Sequence, residues 1–116
     1  MNNKEIALGL AEAFNQGNAE AIANHLAENA EWNMLGDQVY KGRETIKNFF
    51  MQQAGMKIVL CTQDHVIADG DNVSIDGYVE CQDKSGQIMK MFYCDVYDLN
   101  DGKVQRMTSY VVDKKD

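Results

Sequence analysis

The run MKMFYCDVYDL places one carboxylate, Asp95, in an alternating pattern where Met91, Tyr93 and Tyr97 share its side of a strand. A single acid among apolar and aromatic neighbours has two physical fates. It can accept hydrogen bonds from Trp32 Nε1–H or from a tyrosine and order a core. Alternatively, desolvation raises its pKa until it can give or take a proton near neutral pH. Both readings stay open at this level. Tyr93 and Tyr97 could orient a ligand oxygen, or form a wall with their hydroxyls already satisfied, and Tyr40 stands similarly at the rim. Trp32 reads as pocket floor.

Other chemistry finds little support. His25 falls on a polar side of a helix, and Asp64 and His65 are strand neighbours that point to opposite faces. The two histidines and three cysteines lack zinc-ligand spacing. A phosphate-cradling glycine loop and a nucleophile elbow are also missing, so no metal and no cofactor is expected. Cys61, Cys81 and Cys94 lie inside strand-like runs and read as buried, inert thiols.

The elements that position Asp95 follow from periodicity and turn residues. Residues 1–116 form one domain without proline, repeats or linkers. Helices fill the first half and strands the second, which predicts an α+β fold. Helix one spans residues 3–16, capped by Asn2, with Ile6, Leu10 and Phe14 on one face. Gly17 ends it, and Asn18 starts a second helix reaching about Glu28 that buries Ile22 and Leu26. A strand over 30–35 follows, with Trp32 and Met34 on one face, then a brief strand at Val39 and Tyr40. Gly42 opens a third helix with Ile46, Phe49 and Phe50 on one side, and Gly55 closes it.

Four long strands complete the chain, over 56–68, 72–82, 87–99 and 103–113, separated by hairpin-type turns. Three-residue loops ending in Gly86 and Gly102 pair Asp83 with Gln87 and Leu99 with Lys103. Counting back sets Asp95 opposite Ile75 and Met107, and Tyr93 opposite Gly77 and Ser109. The register of the first hairpin stays open. One loop length turns Ile58, Leu60, Asp64 and Val66 inward, and the other turns Cys61, Gln63, His65 and Ile67 inward. The face behind Asp95 carries Phe92, Cys94, Val96, Tyr110 and Val112, more apolar than a free surface needs. A homodimer through that outer face is expected.

The net charge of −7, with only Arg43 and Arg106 as guanidinium groups, argues against nucleic acid and anionic membranes as partners. No apolar stretch is long enough for a span. With no signal-peptide pattern at the start, the expected setting is cytoplasmic.

Three stretches together resemble a known family. They are the helix pair broken at Asn15-Gln16-Gly17-Asn18 and followed by LAENAEW, the G-x-x-x-Y-x-G-R-E-x-I-x-x-F-F run from Gly36 to Phe50, and the closing Y-D-L-N-D-G-K-V-x-R-x-x-S-Y pattern. The chain resembles the nuclear transport factor 2-like superfamily, in its SnoaL-like and ketosteroid-isomerase-like branch. That resemblance implies a cone: a curved, mostly antiparallel sheet wrapped around three helices, enclosing an apolar pocket and commonly dimeric. Ketosteroid isomerases use an Asp base on the strand after helix two, where this chain has Met34. They use a tyrosine on helix one, where this chain has Leu10. Their protonated Asp, kept neutral by an apolar site, matches Asp95. One of three groups survives, which argues against steroid isomerisation.

The combined expectation is a pocket formed by Leu10, Phe14, Trp32, Met34, Tyr40, Phe49, Ile75, Tyr93, Tyr97, Met107 and Ser109 around Asp95. It would take a small apolar ligand. The resemblance implies cofactor-free isomerase or cyclase chemistry on a carbonyl compound; a non-catalytic binding protein and a dimerisation module with a vestigial site are the alternatives.

Overall fold

The computed structural model describes residues 2–53 and 56–115. Three helices, α1 (Asn3–Gln16), α2 (Ala19–Asn24) and α3 (Arg43–Gln52), accompany seven strands. The strands are β1 (Leu26–Met34), β2 (Val39–Lys41), β3 (Lys57–Cys61), β4 (His65–Asp69), β5 (Asn72–Gln82), β6 (Ile88–Asn100) and β7 (Lys103–Asp113). They form one curved, unclosed sheet in the order β2-β1-β7-β6-β5-β3, with β4 also on β5. All neighbours are antiparallel except β1 and β7. The fold is α+β, as the order of elements predicts.

Helix α1 starts where the Asn2 side chain accepts from the Glu5 backbone N–H at 2.8 Å, satisfying one of the amides a helix start leaves open. It stops at Gly17 in the left-handed region. Its face of Ile6, Ala7, Leu10 and Ala13 is buried against the sheet, where Ile75, Tyr97, Val104 and Met107 complete the core.

Helix α2 corrects the sequence reading. It ends at Asn24 rather than near Glu28. The His25 carbonyl accepts from Val104 N–H at 2.9 Å, and Leu26 pairs with Val104. Leu26 is therefore buried from a strand, because pairing with β7 overrides local helix propensity. The closure of helix three at Gly55 lies outside the described residues.

The expected strand over 56–68 breaks in two. Gly77 supplies the reason: a Cβ there would sit 2.0 Å from the Thr62 carbonyl oxygen. The bare glycine lets 62–64 cross β5, with Thr62 N–H donating to Tyr78 O and Asp64 N–H to Asp76 O. The break settles the first hairpin in an unforeseen way. Val66 pairs with Ile75, while in β3 Ile58 pairs with Cys81 and Cys61 with Val79 across a bulge between Ile58 and Leu60, so residues of both alternatives turn inward. His65 points outward and pairs with Asp76.

The β5–β6 register is the expected one, with Ile75 opposite Asp95 and Gly77 opposite Tyr93. The β6–β7 register differs. Asn100 pairs with Lys103 across a two-residue turn, in which Asp101 and Gly102 have φ of 51° and 76°. A bulge between Asp98 and Leu99 then adds one residue on β7. Asp95 thus faces Ser109, not Met107, and Tyr93 faces Val111, not Ser109. The slip is two residues, so every side chain keeps its face.

No helix among the described residues is long and apolar enough to cross a membrane.

Candidate active site

Asp95 sits in the middle of β6 with Ser109 beside it on β7. The indole Nε1–H of Trp32 donates to Ser109 Oγ at 2.9 Å. That leaves the serine hydroxyl hydrogen for the carboxylate, and Ser109 hydrogen-bonds Asp95. Trp32 is held in turn by aromatic rings. It stacks on Phe50 at 5.1 Å and on Tyr40 at 5.2 Å, and meets the edge of Phe49 at 5.2 Å between ring centroids. Residues on β1, β2 and α3 therefore orient a single acid on β6.

This acid lies on the wall of a cavity of about 210 Å³. The sheet contributes Ile75, Val79, Tyr93, Asp95, Tyr97, Met107, Ser109 and Val111. Trp32 and Met34 come from β1, Ala11, Phe14 and Asn15 from α1, and Phe50 from α3. Ile58, Cys61, Gln63 and Cys81 complete the other side. Burial in this mainly apolar setting pushes the Asp95 pKa up to about 6, and the Ser109 hydrogen bond opposes the rise. Asp95 keeps some accessible surface and lines the cavity.

The tyrosines divide. Tyr93 donates to the Thr62 carbonyl at 2.6 Å, and the Cys61 thiol lies 3.6 Å from its oxygen. Burial raises its pKa, and Cys61 and Asp95 add to the effect. Tyr97 is fully buried, and its pKa rises first through burial and then through the charge of Asp95. Its hydroxyl has no hydrogen-bond partner among the described residues. Burial also raises the Cys81 and Cys94 thiols, which keeps both protonated.

Three expected pocket residues stand off the cavity. Leu10 is wholly buried in the core, since α1 turns Ala11, Phe14 and Asn15 to the opening instead. Tyr40 and Phe49 pack behind Trp32 in the aromatic cluster. Phe14, Trp32, Met34, Ile75, Tyr93, Tyr97, Met107 and Ser109 line it with Asp95. Sequence reasoning missed Phe50, Ile58, Cys61 and Gln63. Phe50 carried a signal in its helical spacing beside Phe49, whereas Ile58, Cys61 and Gln63 depended on the undetermined hairpin. Among the described residues, no group of three or more His, Cys, Asp or Glu could hold a metal ion.

A family model described as a SnoaL-like domain matches residues 7–107. The chain belongs to the SnoaL-like domain family. No curated protein matches this SnoaL-like domain. Among solved structures it is similar to an NTF2-like protein of unknown function from Cytophaga hutchinsonii. The two share 25% identity over 96% of this chain and 100% of the other, at a TM-score of 0.75. It is also similar to the epoxide hydrolase/cyclase-like enzyme SalBIII, described for a role in pyran ring formation in polyether salinomycin. There identity is 26% over 95% of this chain and 90% of the other, at a TM-score of 0.80. An LEH-like epoxide hydrolase of M. tuberculosis shares the fold, with a TM-score of 0.86 at 13% identity over 95% of this chain and 82% of the other.

Proposed function

We propose that this SnoaL-like domain is a cofactor-independent enzyme of the isomerase or cyclase type. It moves a proton on a small, largely apolar carbonyl compound, with Asp95 as the acid–base group. The observation that carries this reading is the position of Asp95 on the wall of an apolar cavity of about 210 Å³, held by one neighbouring hydroxyl. A carboxyl with a pKa of about 6 is matched to proton transfer near neutral pH. The cavity is smaller than the roughly 300–1,000 Å³ of sites for drug-sized ligands, so the substrate is small. The likeness to SalBIII supports ring-forming chemistry as the reaction class.

Steroid isomerisation is disfavoured, because the Met34 thioether cannot take a proton and Leu10 offers no hydroxyl. The same two residues favour a second reading, in which the cavity binds a small apolar ligand without turning it over.

The reading includes a homodimer joined through the outer sheet face, where Phe92, Tyr110 and Val112 are exposed. It also includes a cytoplasmic setting, supported by three free thiols.

Native mass spectrometry of the purified protein tests for a co-purified small molecule. Turnover of that molecule is then compared between wild type and Asp95→Asn. General acid–base catalysis predicts a loss of about 10²- to 10⁴-fold. Equal turnover in the two proteins removes Asp95 from the mechanism, and binding without turnover in either favours the second reading.

A further inference from the structure

The hydroxyl and indole donors on the cavity wall are Trp32, Tyr93, Tyr97 and Ser109. Three of them are committed. Trp32 gives its N–H to Ser109, Ser109 hydrogen-bonds Asp95, and Tyr93 gives its O–H to the Thr62 carbonyl. Tyr97 is the exception. It is fully buried, yet its hydroxyl has no partner among the described residues. Burying a hydroxyl without a hydrogen bond is costly, and native proteins rarely leave such a group without a purpose.

Its placement supplies the purpose. Tyr97 lies two residues from Asp95 on the same face of β6, about 6–7 Å along the strand. Val73 and Met107 are its cross-strand neighbours, so neither residue directly opposite it is polar. The hydroxyl oxygen itself has essentially no open surface, so a ligand oxygen reaches it only when neighbouring side chains move. Met34 and Met107 border the same cavity, and their unbranched side chains can shift to admit it.

We propose that the Tyr97 hydroxyl is the specificity-determining donor of the cavity, selecting small apolar ligands that carry a hydrogen-bond-accepting oxygen and seating that oxygen next to Asp95. The inference rests on the reading of the cavity as the substrate site. Tyr97 stays a neutral donor across the physiological range, since burial and the charge of Asp95 both oppose its ionisation. A site with a buried donor discriminates strongly against an analogue lacking the acceptor, because the donor is then left unpaired.

The test uses cyclohexanone and methylenecyclohexane, the same ring with C=O replaced by C=CH₂. Both are titrated into wild type and Tyr97→Phe, with the NMR signals of the Met34 and Met107 methyl groups reporting occupancy of the cavity. The ketone is expected to bind wild type about 10- to 100-fold more tightly than the hydrocarbon, and that ratio is expected to fall to near one in Tyr97→Phe. A ratio near one in wild type, with both probes shifting the methyl signals, overturns the role of Tyr97 and leaves the cavity reading standing. So does a ratio that survives in Tyr97→Phe. If neither probe moves the Met34 and Met107 signals, the cavity reading fails and the inference with it. The ligand-free Tyr97→Phe protein is expected to unfold at the same temperature as wild type or higher. A fall of several degrees would show that the hydroxyl already has a partner within the protein, and would overturn the proposal.

Discussion

A carboxyl group moved from water into an apolar cavity gives up hydration that only its charged form needs. For Asp95 this means a folded pKa of about 6 against an ordinary value of 3.8. Between those two pH values the folded state holds a proton that the unfolded chain releases, so stability falls as pH rises through that window. Roughly two pKa units at 1.36 kcal/mol each make the cost about 3 kcal/mol above pH 6. Asparagine carries no charge and escapes it. Asp95→Asn is therefore expected to be more stable than wild type by about 2–3 kcal/mol at pH 8, and nearly equal to it at pH 3.5, in urea denaturation. A difference that does not change with pH would contradict this account of Asp95. The face that Asp95 occupies was legible from alternation alone, since any even register error preserves it. Its partner was not. Ser109 reaches Asp95 only through the tight turn at Asp101-Gly102 and the bulge after it, and a bulge of that kind leaves no mark in residue types.

The elements show where local patterns lose to pairing partners. Helix α1, both of its termini and strands β5 and β7 lie where caps, turns and periodicity put them. Helix α2 does not, because the residues after Asn24 look helical locally but pair with β7. The break between β3 and β4 had one sequence signal, the glycine inside β5, and its meaning depends on which backbone crosses it. That crossing gives a prediction. Gly77→Ala would drive a methyl group into the Thr62 carbonyl, and backbone cannot step aside as a side chain can. The substitution is expected to cost about 2–4 kcal/mol in denaturant unfolding, and to move the Cys61 and Gln63 wall of the cavity. A loss below 0.5 kcal/mol would show that 62–64 does not press on Gly77 in solution.

At the scale of the molecule, one sheet face encloses the cavity and the other, otherwise polar, carries an exposed apolar patch. Phe92 pairs with Val112, and Cys94 with Tyr110, across the outer face of β6 and β7. Phe92 and Tyr110 are each 48% exposed, and Val112 64%, more than scattered surface residues explain. A homodimer seated there predicts a mass of twice 13.1 kDa in sedimentation equilibrium, and the double substitution Phe92→Lys, Val112→Lys is expected to return it to a single chain. A wild-type mass of 13.1 kDa at high protein concentration would remove the dimer from the account.

The cavity itself is a single acid in a small apolar space, and its chemistry reduces to whether Asp95 moves protons there. The direct measurement is the pH dependence of deuterium exchange at the carbon next to the carbonyl of cyclohexanone, followed by NMR in wild type and Asp95→Asn. Exchange above the buffer rate is expected, rising with pH to a plateau with a midpoint near 6, and falling by about 10²- to 10⁴-fold in Asp95→Asn. Exchange equal in the two proteins, or wild-type exchange no faster than buffer at every pH, would contradict it.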